Sequence, residues 1–250
     1  MLKIENVEVM GWEHAIRGMR NPMNSWEKSD SNFFDDSEGH VCNICQGRGS
    51  MSLIEIGQND YALMKNLRNA GTDHRKFMRM ITVYLDITAP LYWWKEFDTY
   101  KVGTVANSCS TMHKIAAKEF DINDFSHEHI EELDGDEYNM SYDWLLRTVD
   151  ILNYYRKEYR IASEKLKRTD LTEAERKHVL AQQKLYWWQM IQLLPTSYNQ
   201  KRTVMLNYEV LANIYKSRKN HRLDEWHTLC DWIEELPYSE LITGKEYEVE

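Results

Sequence analysis

Two groups of side chains in this chain have types and spacings suited to chemistry. Cys42-Asn-Ile-Cys45 beside His40 is half of a metal site, since a C-x2-C pair presents two thiolates to one ion. The other half has no counterpart: Cys109 stands alone, and His227 with Cys230 is the only other pair. These thiols read as ordinary cysteines, and no metal is expected. The second group is the polar and cationic residues of Leu91 to His113 and of Leu194 to His227. Two or three well-placed cations with backbone N–H groups suffice to hold one phosphate. No Ser-His-Asp arrangement, P-loop or Gly-rich dinucleotide turn is present, so those mechanisms have no support.

The elements that must position these residues are mostly helical. Asn59 or Asp60 can cap a helix through Asn69 that Gly71 closes. Ile81, Val83, Leu85 and Ile87 alternate with polar residues, which predicts a strand with one buried face that Ala89-Pro90 stops. Leu91 to Phe97 can start a helix behind Pro90. Tyr142 to Leu166 reads as a helix with the apolar stripe Leu145, Leu146, Val149, Ile151, Leu152 and Tyr155. A second long helix runs from the capping box Thr172-Glu-Ala-Glu175 to Leu194-Pro195. Further helices are expected from about Arg202 to Lys216 and from Leu223 to Leu236. The predicted class is α+β, helix-rich, with a modest antiparallel or mixed sheet. Residues 1–54 read as a loop-rich segment, rich in breakers from Asn21 to Ser50, and the acidic, turn-rich stretch from Asp121 to Asn139 joins two halves of a single domain over 1–250.

Composition narrows the classes. With 42% apolar residues, nine Trp, fifteen Tyr and six Phe among 250, the chain can bury a substantial core and is not disordered. No run reaches the roughly 18 apolar residues of a membrane span, and the N-terminus lacks the features of a signal peptide, so a soluble, cytoplasmic protein is expected. A net charge of −9 repels a long phosphate backbone, which disfavours nucleic-acid binding but leaves a small anionic ligand open. The pairs Trp93-Trp94 and Trp187-Trp188 read as core or subunit-interface residues rather than base-stacking platforms.

The strand ending in Ala89-Pro90, the aromatic run Leu91-Tyr-Trp-Trp, the segment Thr99 to His113, and Leu194-Pro195 through Arg218, His221 and Glu225-Trp226 resemble, in that order, the flavin-dependent thymidylate synthases (the ThyX family). That family carries Arg-His-Arg-x-x-Ser-x-Asn-x-x-Ser-x-Arg, then Leu-Pro, an Asn-containing helix ending in Leu-Arg, and His-Ala-Gln-Trp-Glu. The resemblance covers roughly residues 55 to 236. It departs where Thr99-Tyr100-Lys101 stands for Arg-His-Arg, where Thr104 stands for the first Ser, where Asn107 and Ser110 require one inserted residue, and where Met112, Ile191 and Glu209 take phosphate-binding arginine positions.

The resemblance implies an enzyme that methylates dUMP to dTMP with FAD, NADPH and methylenetetrahydrofolate, in a homotetramer whose active sites lie between subunits. It implies that Arg218 stabilises charge on the pyrimidine and that Ser110 lies at its pyrimidine and phosphate end. His74, Asn107, Asn207, Asn213, His221, Lys101 and Thr104 would face the flavin, and His113 and Lys114, with Lys101, would carry phosphate charge. Eleven residues separate Asn207 from Arg218, close to three helical turns, so a helix through both would project them from nearly one face and aim Asn213 elsewhere. The alternatives are a flavin-binding relative with another nucleotide, or a non-catalytic module of the same fold.

Overall fold

The computed structural model describes residues 2–33, 54–131 and 140–245. His40, Cys42, Cys45 and the Asp134-Gly-Asp136 turn lie outside the described residues. In chain order the elements are β1 (Lys3–Met10), α1 (Trp12–Arg20), β2 (Asn32–Phe33), β3 (Ile54–Glu55), α2 (Gln58–Asn69), β4 (Thr82–Pro90), α3 (Leu91–Phe97) and β5 (Val105–Ser108). There follow α4 (Thr111–Lys114), α5 (Glu128–Glu131), α6 (Met140–Leu166), α7 (Glu173–Leu193), β6 (Asn199–Asn207), α8 (Tyr208–Arg218), α9 (Asp224–Glu234) and α10 (Glu240–Thr243). The fold is α+β and helix-rich, with a small antiparallel sheet in the order β1-β4-β6-β5; β2 and β3 form a separate pair. Among the described residues no helix is long and apolar enough to cross a membrane.

β4 carries the predicted alternation: Val83, Leu85 and Ile87 are buried while Tyr84 is exposed. As the sequence predicts, the strand ends at Ala89-Pro90. β4 runs through Pro90, and the chain turns into α3 only where the Leu91 N–H donates to the Tyr198 carbonyl. Proline costs nothing there because its missing N–H falls at the strand's last residue.

The chain divides into two compact units. One comprises Ala89–Lys95 and the described part of Ser108–Lys201. Its centre is the α6–α7 hairpin, packed around Ile115, Phe120, Phe125, Leu145, Val149, Leu152 and Met190. Thr172 caps α7 as predicted: its hydroxyl accepts from the Glu175 N–H at 3.3 Å while the Glu175 carboxylate accepts from the Thr172 N–H at 2.9 Å. Trp93 and Trp94 are core, and the Trp94 indole donates to the Gln200 carbonyl at 2.9 Å. Trp188 is half-exposed in the single chain. The predicted α6 stripe also divides, since Leu145, Val149 and Leu152 are buried but Leu146 and Ile151 face solvent. A helix of 27 residues winds a six-residue stripe across more than one face.

The other unit comprises the described parts of Leu2–Thr88, Glu96–Asn107 and Arg202–Glu250. Its core joins Trp12 of α1 to Tyr208 of α8 edge-on at 5.2 Å, and the Tyr208 hydroxyl donates to the Pro237 carbonyl at 2.7 Å. Burial pushes the Tyr208 phenol well above its ordinary pKa. α2 is capped by neither Asn59 nor Asp60, contrary to expectation. Its first amides donate to the Asp30 carboxylate, from Asn59 at 3.0 Å and Asp60 at 3.1 Å. The fully buried Asp60 is thereby left to accept from Arg20 Nε at 2.6 Å and from the Ser29 and Ser31 hydroxyls at 2.7 Å each.

Candidate active site

The segment expected to be helical from Arg202 to Lys216 is first strand and then helix. β6 occupies Asn199–Asn207 between β4 and β5, and α8 begins at Tyr208. Thr203 and Val204 are β-branched, and Val204 and Leu206 fill the buried face of the strand. Asn207 is therefore not on a helix face with Arg218. It is extended (φ −138°, ψ 169°), and its Oδ1 accepts from the Val210 N–H at 3.1 Å, so it caps α8. This N-cap supplies the local reason for an Asn at that place.

α8 carries Arg218 at its last residue, where a cation also complements the helix dipole. The guanidinium is held from three sides. Nη1 donates to Glu96 Oε2 at 2.7 Å, Nε donates to the Tyr100 hydroxyl at 2.9 Å, and its carbon lies 4.6 Å from the Trp226 ring centroid. Glu96 Oε2 also accepts from the Trp226 indole at 3.0 Å and lies 3.3 Å from His221 Nε2. The Leu223 N–H donates to His221 Nδ1 at 3.2 Å, which leaves the neutral ring's proton on Nε2, facing Glu96. Phe97 stacks on Trp226 at 6.5 Å beneath this group. The arrangement offers a guanidinium supported by an aromatic face and balanced by one carboxylate.

A second cluster lies at the start of α8. The buried Glu209 pairs with Arg79 and, at 3.4 Å, with Arg75, whose Nη2 donates to Asn213 Oδ1 at 3.1 Å. Burial acts to raise the Glu209 pKa, but the hydrogen bonds and charges of Arg79 and Arg75 outweigh it and hold the carboxyl below its ordinary value. Two guanidiniums on one carboxylate leave this cluster cationic, so Glu209 does not make it an anion-repelling place. His74 sits at the entry of the 3-10 turn Arg75–Arg79, exposed.

The loop before β5 approaches α8 closely. Gly103 has φ +77°, and a Cβ there would lie 2.9 Å from Asn207 Nδ2. Beside it the buried Thr104 Oγ1 has no hydrogen-bond partner. Lys101 and Asn107 are exposed on the same segment. The structure thus brings Arg218 to His221 and Asn207 to the Thr104 loop within one unit. Ser110, His113 and Lys114 belong to the other unit, where the Ser110 hydroxyl accepts from the His113 N–H at 3.0 Å and caps α4. Among the described residues no cluster of His, Cys, Asp and Glu could hold a metal ion.

Sequence reasoning missed Glu96 and the Arg75–Arg79 pair as members of these clusters. The run His74-Arg-Lys followed by Arg79 was the available signal for the second; nothing local marks Glu96, whose partner is 122 residues away.

The fold is similar to solved structures over nearly the whole chain. The flavin dependent thymidylate synthase ThyX from Helicobacter pylori, complexed with FAD and dUMP, superposes with a TM-score of 0.58 at 14% identity, over 96% of this chain and 97% of that one. A second structure of ThyX from Helicobacter pylori with FAD and dUMP gives 0.57 at 14%, over 97% of each chain. The UMP/dUMP methylase PolB from Streptomyces cacaoi, bound with 5-Br dUMP, gives 0.51 at 13%, over 98% of this chain and 95% of that one. No protein-family model and no curated protein sequence matches the chain.

Proposed function

We propose that the chain is a divergent enzyme of the flavin-dependent thymidylate synthase type, which binds a uracil nucleotide and FAD and transfers a one-carbon unit from methylenetetrahydrofolate, with NADPH as reductant. The observation that supports this most directly is the held Arg218 group in a chain whose fold is that of FAD- and dUMP-bound neighbours. On the same reading it acts in the cytoplasm as a homotetramer of single-domain subunits.

The residues present fit a flavin on one specific point: Thr104 Oγ1 is buried with an unmet hydrogen bond, next in the chain to the Gly103 that approaches Asn207, and a flavin ring carries both donors and acceptors. Thr104, Asn207, Asn213, Asn107, His74 and His221 would hold it, and when bound it supplies the redox chemistry. Arg218 presents the nitrogen not committed to Glu96 or Tyr100 to the pyrimidine and favours negative charge as it develops there. Lys101, in the same unit as Arg218, serves the phosphate end. Tyr100 and Trp226 fix the guanidinium plane, so its orientation is set before the ligand arrives.

A second reading is favoured by Glu96. A carboxylate on Arg218 lowers the net positive charge available to a uracil ring, which suits a relative acting on another nucleotide. Incubation with FAD followed by a visible spectrum tests the flavin, and NADPH oxidation with methylenetetrahydrofolate is then compared with dUMP, UMP and no nucleotide. Flavin absorbance with dUMP-dependent turnover that Arg218→Ala abolishes, while flavin stays bound, is the expected result. A protein that takes up no flavin defeats both readings; flavin uptake without turnover on either uracil nucleotide selects the second.

A further inference from the structure

α6 has an apolar face that its own unit does not use. Trp144, Ile151, Tyr154 and Ile161 are 62%, 45%, 58% and 51% exposed, while Leu145, Val149 and Leu152 are buried on another face of the same helix. With Arg147 and Glu158 these residues follow alternating steps of three and four: 144, 147, 151, 154, 158, 161. That is the 3.5-residue repeat of a helix seam rather than the scatter of a solvated surface. At 1.5 Å per residue the seam is about 26 Å long.

The order of residues along the seam names its occupant. Turned about a two-fold axis between Leu152 and Asn153, the seam is complementary to itself: Arg147 of one copy meets Glu158 of the other, Ile151 meets Tyr154, and Trp144 meets Ile161. Each of these pairs occurs twice, as an isologous contact requires. Neither Arg147 nor Glu158 makes an ion pair within its own chain among the described residues, although several other surface cations do. An unrelated partner would have no reason to match a palindromic order of aromatic, cation, aliphatic, aromatic, anion and aliphatic residues.

We infer that α6 is a self-association surface, on which a second copy of this chain packs its own α6 antiparallel, with two symmetric Arg147–Glu158 pairs flanking an Ile151–Tyr154 centre. This does not depend on the flavin reading, and it specifies face and register rather than the number of subunits.

Sedimentation velocity of the full chain across a concentration series tests it, with circular dichroism as the check on folding. Arg147→Glu and Glu158→Arg each place like charges opposite one another twice and should raise the dissociation constant about tenfold or more. The double variant carrying both reversals should restore association to within about threefold of wild type, because opposite charges meet again. A monomeric wild type overturns the inference. So does association that folded single variants leave unchanged, or that the double reversal fails to restore, since the copies would then meet elsewhere or the seam would have another occupant.

Discussion

At the scale of the residue, the molecule spends carboxylates on holding arginines. Asp60 is the clearest case, because it and Arg20 are both buried and the pair ties α1 to α2 and to the Ser29–Ser31 turn. Asp60→Ala strands the Arg20 charge and should destabilise the protein by about 3–5 kcal/mol, measured by denaturant unfolding. Burial acts to raise the Asp60 pKa, but hydrogen bonds from Ser31, Ser29, Arg20 and the Asp30 backbone bring it below its ordinary value. A depressed folded-state pKa contributes stability that is full above about pH 4 and lost as pH falls through the lowered value. Asp60→Asn should therefore flatten the stability profile in that acid window, and an unchanged profile would reassign the acid sensitivity. Glu96 gives the second prediction. Glu96→Gln keeps the shape but removes the charge on Arg218, and should tighten dUMP binding several-fold, the scale of a half-exposed pair at about 0.5–1 kcal/mol. Titration calorimetry checks this, and equal affinities would show that Glu96 does not compete with the ligand. Arg218 and His221 were legible in the sequence from their order along the chain. Glu96 was not, because its meaning comes only from contacts made across more than a hundred residues.

At the scale of the element, legibility follows locality. The α7 cap could be read because Thr172 and Glu175 satisfy each other within one turn, and β4 because its period of two extends over eight residues. β6 was hidden because its buried face contributes only Val204 and Leu206 as apolar markers, with Gln200 also on it. The strand's identity comes from its two neighbours in the sheet, not from its own pattern. Asn207 was noticed for its type and assigned to the wrong turn: a short polar side chain at a helix start is a cap before it is a ligand. The same end of α8 constrains Gly103. Gly103→Ala forces a side chain into left-handed backbone and against Asn207, and should weaken both flavin retention and thermal stability. Unchanged melting and flavin content would mean that the loop before β5 moves freely away from α8.

At the scale of the whole molecule, a net charge of −9 opposes the arrival of an anionic ligand while local cations favour its capture. Exposed Lys101 and Lys114 make no ion pair among the described residues, whereas Arg75, Arg79, Arg202 and Arg218 are already paired. Screening acts first on the distant repulsion, since the Debye length shrinks from about 30 Å at 0.01 M salt to about 8 Å at 0.15 M. The association rate of dUMP in stopped flow should therefore rise with salt over that range. A falling rate would show that capture by nearby lysines governs the encounter.

The two described cysteines differ in a way that supplies an internal clock. Cys109 is exposed, whereas Cys230 is buried on α9 and its thiol is pushed up to about 11, by burial first and then by Asp231 and Glu234. Only the thiolate attacks an alkylating reagent, so at neutral pH Cys230 is protected both by access and by protonation. In a Cys42→Ser, Cys45→Ser, Cys109→Ser background, its labelling rate counts the openings of α9 from the core. That rate should slow when the group around Arg218 and Trp226 is occupied, because Trp226 lies on the same helix.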